Sequence, residues 1–333
     1  HSACAVSKPL FRPAAWPRAE KFVIELRNVS KSFGPARAVS DFSLRIESGT
    51  FFVLVGPSGC GKSTVLRMIN AMIAPDSGQI EVRGQDIGGI DPEKLRRGIG
   101  YVIQSGGLFP HWTAEDNILA VPRLLKWSKT ACAARLATLV EMLQIERDLL
   151  LRYPSQLSGG QQQRISVARA LAADPDIILM DEPFAALDPV SRAALQGEIS
   201  NIQEKSGKTI VFVTHDMDEA LRLATRMAVM KNGMLIQTGA PEEVLAAPAD
   251  DFVRGFLGGE SLQFRLLDLV PVRKLMRPGK ARSAAAIAPG ASLKSALNEM
   301  LAQRQPFLCV EDKSGEKLGE IHLRDIVARH NAS

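Results

Sequence analysis

Short apolar runs alternate with patterns of helical period through the middle of the chain. The apolar runs lie at 51–55, 177–180 and 209–214, and the helical patterns cover 65–73, 161–172 and 189–205. Short, largely apolar runs are typical of strands buried on both faces of a sheet. Strands that alternate with helices predict an α/β domain with a largely parallel sheet, whose functional residues lie at the C-terminal ends of the strands.

The last part of the chain has a second, smaller pattern. Its predicted elements are an entry segment at 272–276, a helix at 292–301, strands at 307–310 and 318–321 around a turn at 312–315, and a helix at 323–328. The regions expected are therefore a disordered leader at 1–21, a large domain at 22–257 with a helical subdomain at about 105–172, a linker at 258–271 and a small β-α-β-β-α unit at 272–330. Within the helical subdomain, residues 126–151 have helical rather than strand character.

Charge is uneven along the chain, although the net charge is only +5. Residues 261–333 contain 12 lysines and arginines against 7 acidic residues, whereas residues 22–260 contain 25 against 28. A basic tail suits an anionic partner such as lipid or nucleic acid, and a solvated surface is the alternative. Aromatic residues are only 5% of the chain, so a base-stacking surface is not expected and no nucleic-acid partner is predicted.

The cysteines and the apolar runs exclude other classes of protein. Cys4, Cys60, Cys132 and Cys309 form no C-x-x-C pair and have no histidine cluster near them, which predicts a reduced cytosolic protein without a disulfide framework or zinc site. No run approaches the roughly 20 apolar residues that span a bilayer.

A glycine-rich loop follows the first apolar run and opens a helical pattern. It matches G-x-x-x-x-G-K-[ST] and consists of Gly56, Pro57, Ser58, Gly59, Cys60, Gly61, Lys62 and Ser63, followed by Thr64. Glycines let backbone N–H groups curl around an anion, and the helix N-terminus adds positive potential. We expect Lys62 to reach the β- and γ-phosphates of a nucleotide and Ser63 to bind Mg²⁺. The motif alone does not separate kinases, GTPases and transport ATPases.

Two adjacent carboxylates end the apolar run at 177–180. Asp181 is placed to hold Mg²⁺, and Glu182 to orient or deprotonate an attacking water. Ionised groups at the end of a buried strand are costly unless they have a purpose. The pair therefore predicts hydrolysis of the bound nucleotide.

Between the glycine loop and the acidic pair lies Leu157-Ser-Gly-Gly-Gln-Gln-Gln-Arg164. This octet resembles the signature motif of ABC ATPases, with Ser158, Gly159, Gly160 and Gln161 at the start of a predicted helix. The resemblance covers about 22–257. It implies a P-loop NTPase of the ABC ATPase type, with a RecA-like α/β core plus antiparallel β and helical subdomains.

Further positions resemble functional residues of that family. Phe33 resembles the aromatic residue that stacks on adenine, with a role in the core as the alternative. Gln104 resembles the glutamine that senses Mg²⁺ and the attacking water, Leu187-Asp188 resembles the loop that crosses the dimer interface, and His215 resembles the switch histidine at the γ-phosphate. One departure is Ala185, where importers commonly have glycine; the change should not abolish activity.

The resemblance implies a homodimer that closes on ATP. Each site would combine Lys62, Ser63, Asp181, Glu182 and His215 of one chain with the signature residues of its partner. Exporters often fuse this ATPase to membrane helices, so an importer is expected that works with separate transmembrane permease subunits and, through them, a substrate-binding protein. The expected location is peripheral, on the cytoplasmic face of the inner membrane.

Two finer features resemble one group of importers. The segment 105–127, with Leu108–Trp112 as an aromatic stretch, is similar to ATPases that import osmoprotectants such as glycine betaine, choline and carnitine. Residues 272–329 resemble a CBS module, which those ATPases also carry at the C-terminus. A single module implies either an adenine-nucleotide ligand shared across a homodimer or attraction of the basic tail to anionic lipid. The alternatives are import of another solute, a soluble ABC ATPase that acts on a macromolecule, and a regulatory nucleotide-binding module without turnover.

Overall fold

A computed structural model describes residues 22–104, 107–259, 262–279, 285–312 and 314–331. The leader predicted at 1–21 and two residues of the segment after Gln104 lie outside these ranges. The described chain packs as two compact units. Among the described residues, the first contains those up to Asp216 together with Leu223–Leu235, and the second contains Met217–Arg222 and those from Ile236 onward.

A parallel sheet forms the centre of the first unit. In the described residues its strand order is β10-β9-β3-β8-β7-β6. Its strands are β3 (Phe51–Val55), β6 (Ile99–Val102), β7 (Ile177–Asp181), β8 (Thr209–Thr214) and β9 (Arg226–Lys231), and the last strand, β10 (Met234–Gly239), is divided between the two units. Every residue of β3, β7 and β8 is buried, which explains their apolar sequences and confirms the predicted parallel core.

A second, antiparallel sheet covers the first helix. Its order is β2-β1-β4-β5, formed by β1 (Phe22–Phe33), β2 (Ala36–Glu47), β4 (Ser77–Val82) and β5 (Gln85–Asp86). Apolar side chains of both sheets and of α1 (Lys62–Ile69) form one buried cluster. The helix that opens after the glycine loop is therefore held between two layers, which fixes the loop at its N-terminus.

Helix α1 is shorter than the apolar pattern predicts. The pattern continues to residue 73, but α1 ends at Ile69 because Ala71 adopts a left-handed conformation with φ of 48°. The N–H of Met72 donates to the carbonyl of Arg67 at 2.9 Å and that of Ala71 to Met68 at 2.9 Å, the pair of bonds that closes a Schellman motif. Glycine usually marks such an end, and its absence here removed the sequence signal.

The remaining helices of the first unit are α2 (Pro92–Arg97), α3 (Ala114–Ile118), α4 (Ala120–Leu124), α5 (Lys129–Met142), α6 (Gly159–Ala172) and α7 (Pro189–Ser206). Two of them, α2 and α6, pack against the sheet at β6, whereas α3, α4, α5 and α7 pack against α6. The helical interpretation of 126–151 holds for α5 and for a short 3₁₀ turn at Arg147–Leu151. Within the described ranges, no helix combines the length and the apolar character needed to cross a bilayer.

The second unit has its own sheet and core. Its sheet has the order β11-β14-β13-β12, formed by β11 (Arg277–Pro278), β12 (Ala286–Ile287), β13 (Phe307–Glu311) and β14 (Lys317–His322). Its helices are α9 (Pro241–Ala246), α10 (Asp251–Phe256), α11 (Leu262–Leu269), α12 (Leu293–Gln303) and α13 (Leu323–Asn331), and most of α8 (Met217–Leu223) is assigned to it. The segment predicted as a linker, 258–271, contains α11, because Leu267 and Val270 are buried in this unit's core.

Candidate nucleotide site

The glycine loop joins β3 to α1 and has a conformation that only glycine fits at two of its positions. A Cβ on Gly56 would lie 2.3 Å from the carbonyl oxygen of Met230, and one on Gly61 would lie 2.3 Å from that of Ala38. Gly61 also has a φ of 103°. No side chain caps the N-terminus of α1, an end that lies within the described residues. Its first N–H groups are therefore available to an anion.

Lys62 is buried in this loop. Its Nζ donates to the carbonyl oxygens of Gly56 at 2.7 Å and Pro57 at 2.9 Å. These bonds hold the ammonium group against the inner wall of the loop while α1 begins at the same residue. Cys60 is buried beside it, and burial raises the pKa of its thiol, so this position is an apolar filler rather than a nucleophile.

Asp181 lies at the C-terminal end of β7 and accepts a hydrogen bond of 2.7 Å from the hydroxyl of Ser63. Burial raises the pKa of this carboxyl, the charge of nearby Glu182 adds to the rise, and the Ser63 hydrogen bond and the Arg67 charge oppose it. The fold thus places a carboxylate that needs compensating positive charge directly beside the phosphate loop.

Glu182 is the centre of a second cluster. Its Oε2 accepts a hydrogen bond from Nε2 of Gln104 at 3.0 Å and lies 3.2 Å from Nδ1 of His215. Glu182 has a left-handed backbone with φ of 42°, and its N–H donates to the carbonyl of Val213 on the neighbouring strand at 3.0 Å. A strained backbone held by a cross-strand bond is typical of a functional position, because the surroundings must enforce it.

The sheet order explains why these three side chains meet. Gln104, Glu182 and His215 follow β6, β7 and β8, which are neighbouring parallel strands whose C-terminal ends lie at one edge. The structure therefore places Gln104, Glu182 and His215 in one cluster, and Asp181, next to Glu182 in the chain, joins it to Ser63 and Lys62 at the phosphate loop.

The other predicted site residues lie apart from this cluster or have local roles. Phe33 ends β1 and is 49% exposed, so it is not a core residue; Nζ of Lys31 lies 5.7 Å from its ring centre. Ser158 caps α6, since its Oγ accepts from the N–H of Gln161 at 3.3 Å and the side chain of Gln161 accepts from the N–H of Ser158 at 2.9 Å. The signature start is thus a capping box exposed at a helix N-terminus.

Two further residues, Tyr101 and Arg67, lie beside Asp181 and belong to none of the motifs in the sequence. Tyr101 on β6 is partly buried, and the pKa of its hydroxyl is raised first by burial and then by the charge of Asp181, while a hydrogen bond with Arg67 lowers it. Arg67 lies one helical turn after Ser63, a spacing that places both on one face of α1 and is visible in the sequence. Tyr101 has no such signal, because its place depends on the pairing of β6 with β7.

The oxygen donors around Ser63 fit a magnesium ion. Mg²⁺ prefers hard oxygen ligands and uses few protein groups, since substrate phosphates and waters supply the rest. The hydroxyl of Ser63 and the carboxylate of Asp181 are already 2.7 Å apart, and Gln104 carries an amide oxygen in the same cluster. The chemistry of this donor set agrees with the expected ion.

A phosphate loop, an acidic strand end beside it and a glutamate in contact with Gln104 and His215 define a P-loop nucleotide hydrolase. Residues 39–185 match the family model described as ABC transporter. The chain is 48% identical over 305 residues to the glycine betaine uptake system ATP-binding protein YehX of Escherichia coli K12, covering 92% of this chain and 99% of that protein. It is 45% identical over 305 residues to the carnitine transport ATP-binding protein OpuCA of Listeria monocytogenes, covering 91% of this chain and 76% of that protein.

A solved structure gives the same result for the fold. The dimeric post-hydrolysis state of the ATP-binding cassette MJ0796, bound to ADP and Pi, matches with a TM-score of 0.61 and 34% identity, covering 66% of this chain and 98% of that one. The chain belongs to the ABC transporter family, as one of its ATP-binding and ATP-hydrolysing subunits. The predicted fold class, the ATPase activity and the ATP ligand are confirmed, and the likeness of the second unit to a CBS module stays a prediction.

Proposed function

We propose that this subunit drives the uptake of an osmoprotectant, a quaternary amine such as glycine betaine, through separate membrane subunits. The observation that supports this most is the extent of the match to the glycine betaine relative. An alignment of 305 residues in a chain of 333 extends well into the second unit, beyond the ATPase core that transporters of unlike solutes share. Import of another solute is the main alternative.

The geometry supports a division of labour for hydrolysis. Lys62 and the N–H groups of the glycine loop hold the β- and γ-phosphates, and Phe33 stacks on adenine. Glu182 accepts the proton of the attacking water, while Gln104 and His215, both in contact with its Oε2, keep the carboxylate aimed at that water. Phosphoryl transfer requires little covalent chemistry from the protein, so the rate enhancement comes from the positioned base and from the phosphate-binding donors of Lys62 and the glycine loop.

A second copy of the chain completes the site in this proposal. The local capping bonds of Ser158 leave Gly159 and Gly160 at an exposed helix N-terminus, which suits an anion such as the γ-phosphate held by the partner. Asp188, which caps α7, lies in the loop that would cross the dimer interface. The dimeric form of the solved cassette MJ0796 supports this arrangement.

Ser63, Asp181 and Gln104 are the residues that would hold Mg²⁺. When bound, the ion would neutralise charge on the phosphates. The chain's own contribution is the pre-formed Ser63–Asp181 hydrogen bond, which keeps both oxygens at the loop.

Replacing Asp181 with asparagine should separate stability from activity. Because burial raises the pKa of Asp181, its contribution to stability is present at low pH and is lost as the pH rises through its folded pKa. We therefore expect Asp181→Asn to raise the unfolding temperature of the nucleotide-free protein at pH 7, with a smaller gain at pH 5, while Mg-ATP hydrolysis falls. Thermal unfolding at both pH values without Mg²⁺ measures this, and a lower unfolding temperature at pH 7 would contradict it.

An aromatic segment of the first unit suits the contact with a permease. Phe109, 43% exposed, lies 4.6 Å from Trp112 between ring centres. Arg169 of α6 donates to the carbonyl of Gly107 at 2.8 Å, and its guanidinium lies 5.8 Å from the Phe109 ring. Burial lowers the pKa of Arg169. Aromatic residues are enriched at protein interfaces, and this one is fixed to the helix that carries the signature.

The transport proposal is tested on the complex isolated from native membranes through this chain. We expect a multi-span membrane protein to co-purify, and ATP hydrolysis in proteoliposomes to rise when glycine betaine or carnitine is added with the cognate binding protein. Spermidine, a cation without a quaternary nitrogen, is the matched control. Stimulation by spermidine but not by either quaternary amine would favour import of another solute. Association with a soluble macromolecule alone would favour a soluble ABC ATPase that acts on that macromolecule.

Regulation through the second unit belongs to the same proposal. Residues 261–333 carry a net charge of +5, which suits either an adenine nucleotide or anionic lipid as a ligand. Lipid attraction is screened by salt over roughly 8–10 Å at physiological ionic strength, whereas a nucleotide site depends on added nucleotide. The same stimulation assay, repeated across salt and nucleotide concentrations, separates the two. The proposed location is peripheral, on the cytoplasmic face of the membrane that holds the permease.

A further inference from the structure

Arg192 connects two loops that the sequence motifs do not link. It lies in the first turn of α7, where its Nη2 donates to the carbonyl oxygen of Leu187 at 3.2 Å. Its Nη1 lies 3.6 Å from Oδ2 of Asp216. The two side chains of this ion pair are about one third exposed, at 32% and 35%. One guanidinium group therefore contacts the segment before α7 and the segment after β8 together.

Each end of this connection touches a segment with a proposed role. Leu187 and Asp188 form the loop expected to cross the dimer interface. Asp216 directly follows His215, whose Nδ1 lies 3.2 Å from Oε2 of Glu182. Arg192 is therefore separated from the glutamate cluster by one peptide and one side-chain contact.

Both attachment points are held by other bonds. Asp188 accepts from the N–H groups of Val190 and Ser191, both at 3.0 Å, and the Ser191 hydroxyl leads the interactions that lower its pKa. The N–H of Asp216 donates to Oγ1 of Thr214, the last residue of β8, at 3.0 Å. Both loop ends are therefore anchored within a few residues of the Arg192 contacts, as coupling through a single side chain would require.

We infer that Arg192 is a positioning residue that couples the dimer loop at 187–188 to His215 and so to Glu182. This rests on the roles proposed above for the dimer loop and for the pair of His215 and Glu182. A guanidinium group suits the task because its rigid fork can bond a carbonyl and a carboxylate at the same time. Partly exposed ion pairs add little to stability, so the contact is better explained by coupling than by folding.

The test is a double-mutant cycle in the transporter complex. Arg192→Gln and Asp216→Asn should each lower kcat by about tenfold with KM for ATP within about twofold, because the bond acts on the site's geometry and not on nucleotide binding. The double variant should be no slower than either single variant. Arg192→Lys should recover part of kcat, because it keeps the charge but not the fork.

The matched control is Arg97→Gln. Arg97 forms an exposed ion pair of 3.1 Å with Glu93 on α2, and its loss should leave kcat unchanged. A second readout is made in the Glu182→Gln background, where ATP-induced dimerisation should persist with and without Arg192→Gln.

Three outcomes would overturn the inference. They are an Arg192→Gln variant with the kcat of the parent, losses of the two single variants that multiply in the double variant, and a fall in kcat matched by a similar loss of ATP affinity. If Arg192→Gln does not fold, Asp216→Asn and Arg192→Lys still decide the question. Failure of the proposed role of Glu182 gives a different result, because Glu182→Gln would then hydrolyse ATP as fast as the parent.

Discussion

Glu182→Gln should bind ATP and fail to hydrolyse it, with turnover reduced about 100-fold or more, the range lost when a positioned general base is removed. Glutamine has nearly the same shape and can still bond Gln104 and His215, but it cannot accept the proton of the attacking water. Since ATP holds the proposed dimer together until it is cleaved, the variant should accumulate as a closed dimer with Mg-ATP. Phosphate release and size-exclusion chromatography measure the two effects.

The control for this variant is Glu141→Gln, a change to an exposed side chain of α5 that should hydrolyse ATP like the parent. Two results would count against the mechanism. A Glu182→Gln protein with parental turnover would show that another group accepts the proton. A variant that stays monomeric at saturating Mg-ATP, even with its membrane partner, would argue against a site shared between two copies.

Lys62→Ala should have the second largest effect, on binding instead of turnover. The buried ammonium group lies at the wall of the loop, 2.7 Å from the carbonyl of Gly56, where it can turn to the phosphates. Hydrogen bonds to charged groups are worth about 1.5–3 kcal/mol each, so we expect ATP to bind about 10- to 100-fold more weakly. Titration with a fluorescent ATP analogue measures the affinity directly.

The variant also removes the donor for two loop carbonyls, and a folding defect has to be separated from a binding defect. Lys62→Gln keeps a donor without the charge and should bind ATP nearly as weakly as Lys62→Ala while retaining more of the parental unfolding temperature. Lys129→Ala, at an exposed lysine of α5, is the matched control. ATP affinity equal to the parent in Lys62→Ala would contradict the role given to this residue.

The core strands were predictable because of their chemical environment. Parallel strands are covered on both faces, so β3, β7 and β8 are buried along their whole length, and their mainly apolar sequences stand out from their surroundings. Element ends were less predictable. The end of α1 depends on a left-handed Ala71, and α11 was hidden in a segment punctuated by Gly258 and Gly259.

Site residues were predictable where a residue type is chemically required. Gly56 and Gly61 leave no room for a Cβ, so glycine is required at both positions. A carboxylate at the end of a buried strand is costly unless it has a function. Both features can therefore be recognised in the sequence. Arg192 and Asp216 lack such a mark. Both are ordinary surface residue types 24 positions apart, and only the placement of α7 beside the end of β8 brings them together.

The sequence by itself determined the phosphate loop, the acidic pair, the signature and their order, because those functions depend on residue type and local spacing. Tertiary structure decided which of these groups touch. The β8-β7-β6 order brings His215, Glu182 and Gln104 to one carboxylate, although they are up to 111 residues apart in the chain. It also made Arg192 a bridge, since contacts between distant residues follow from strand order and helix packing and not from local pattern.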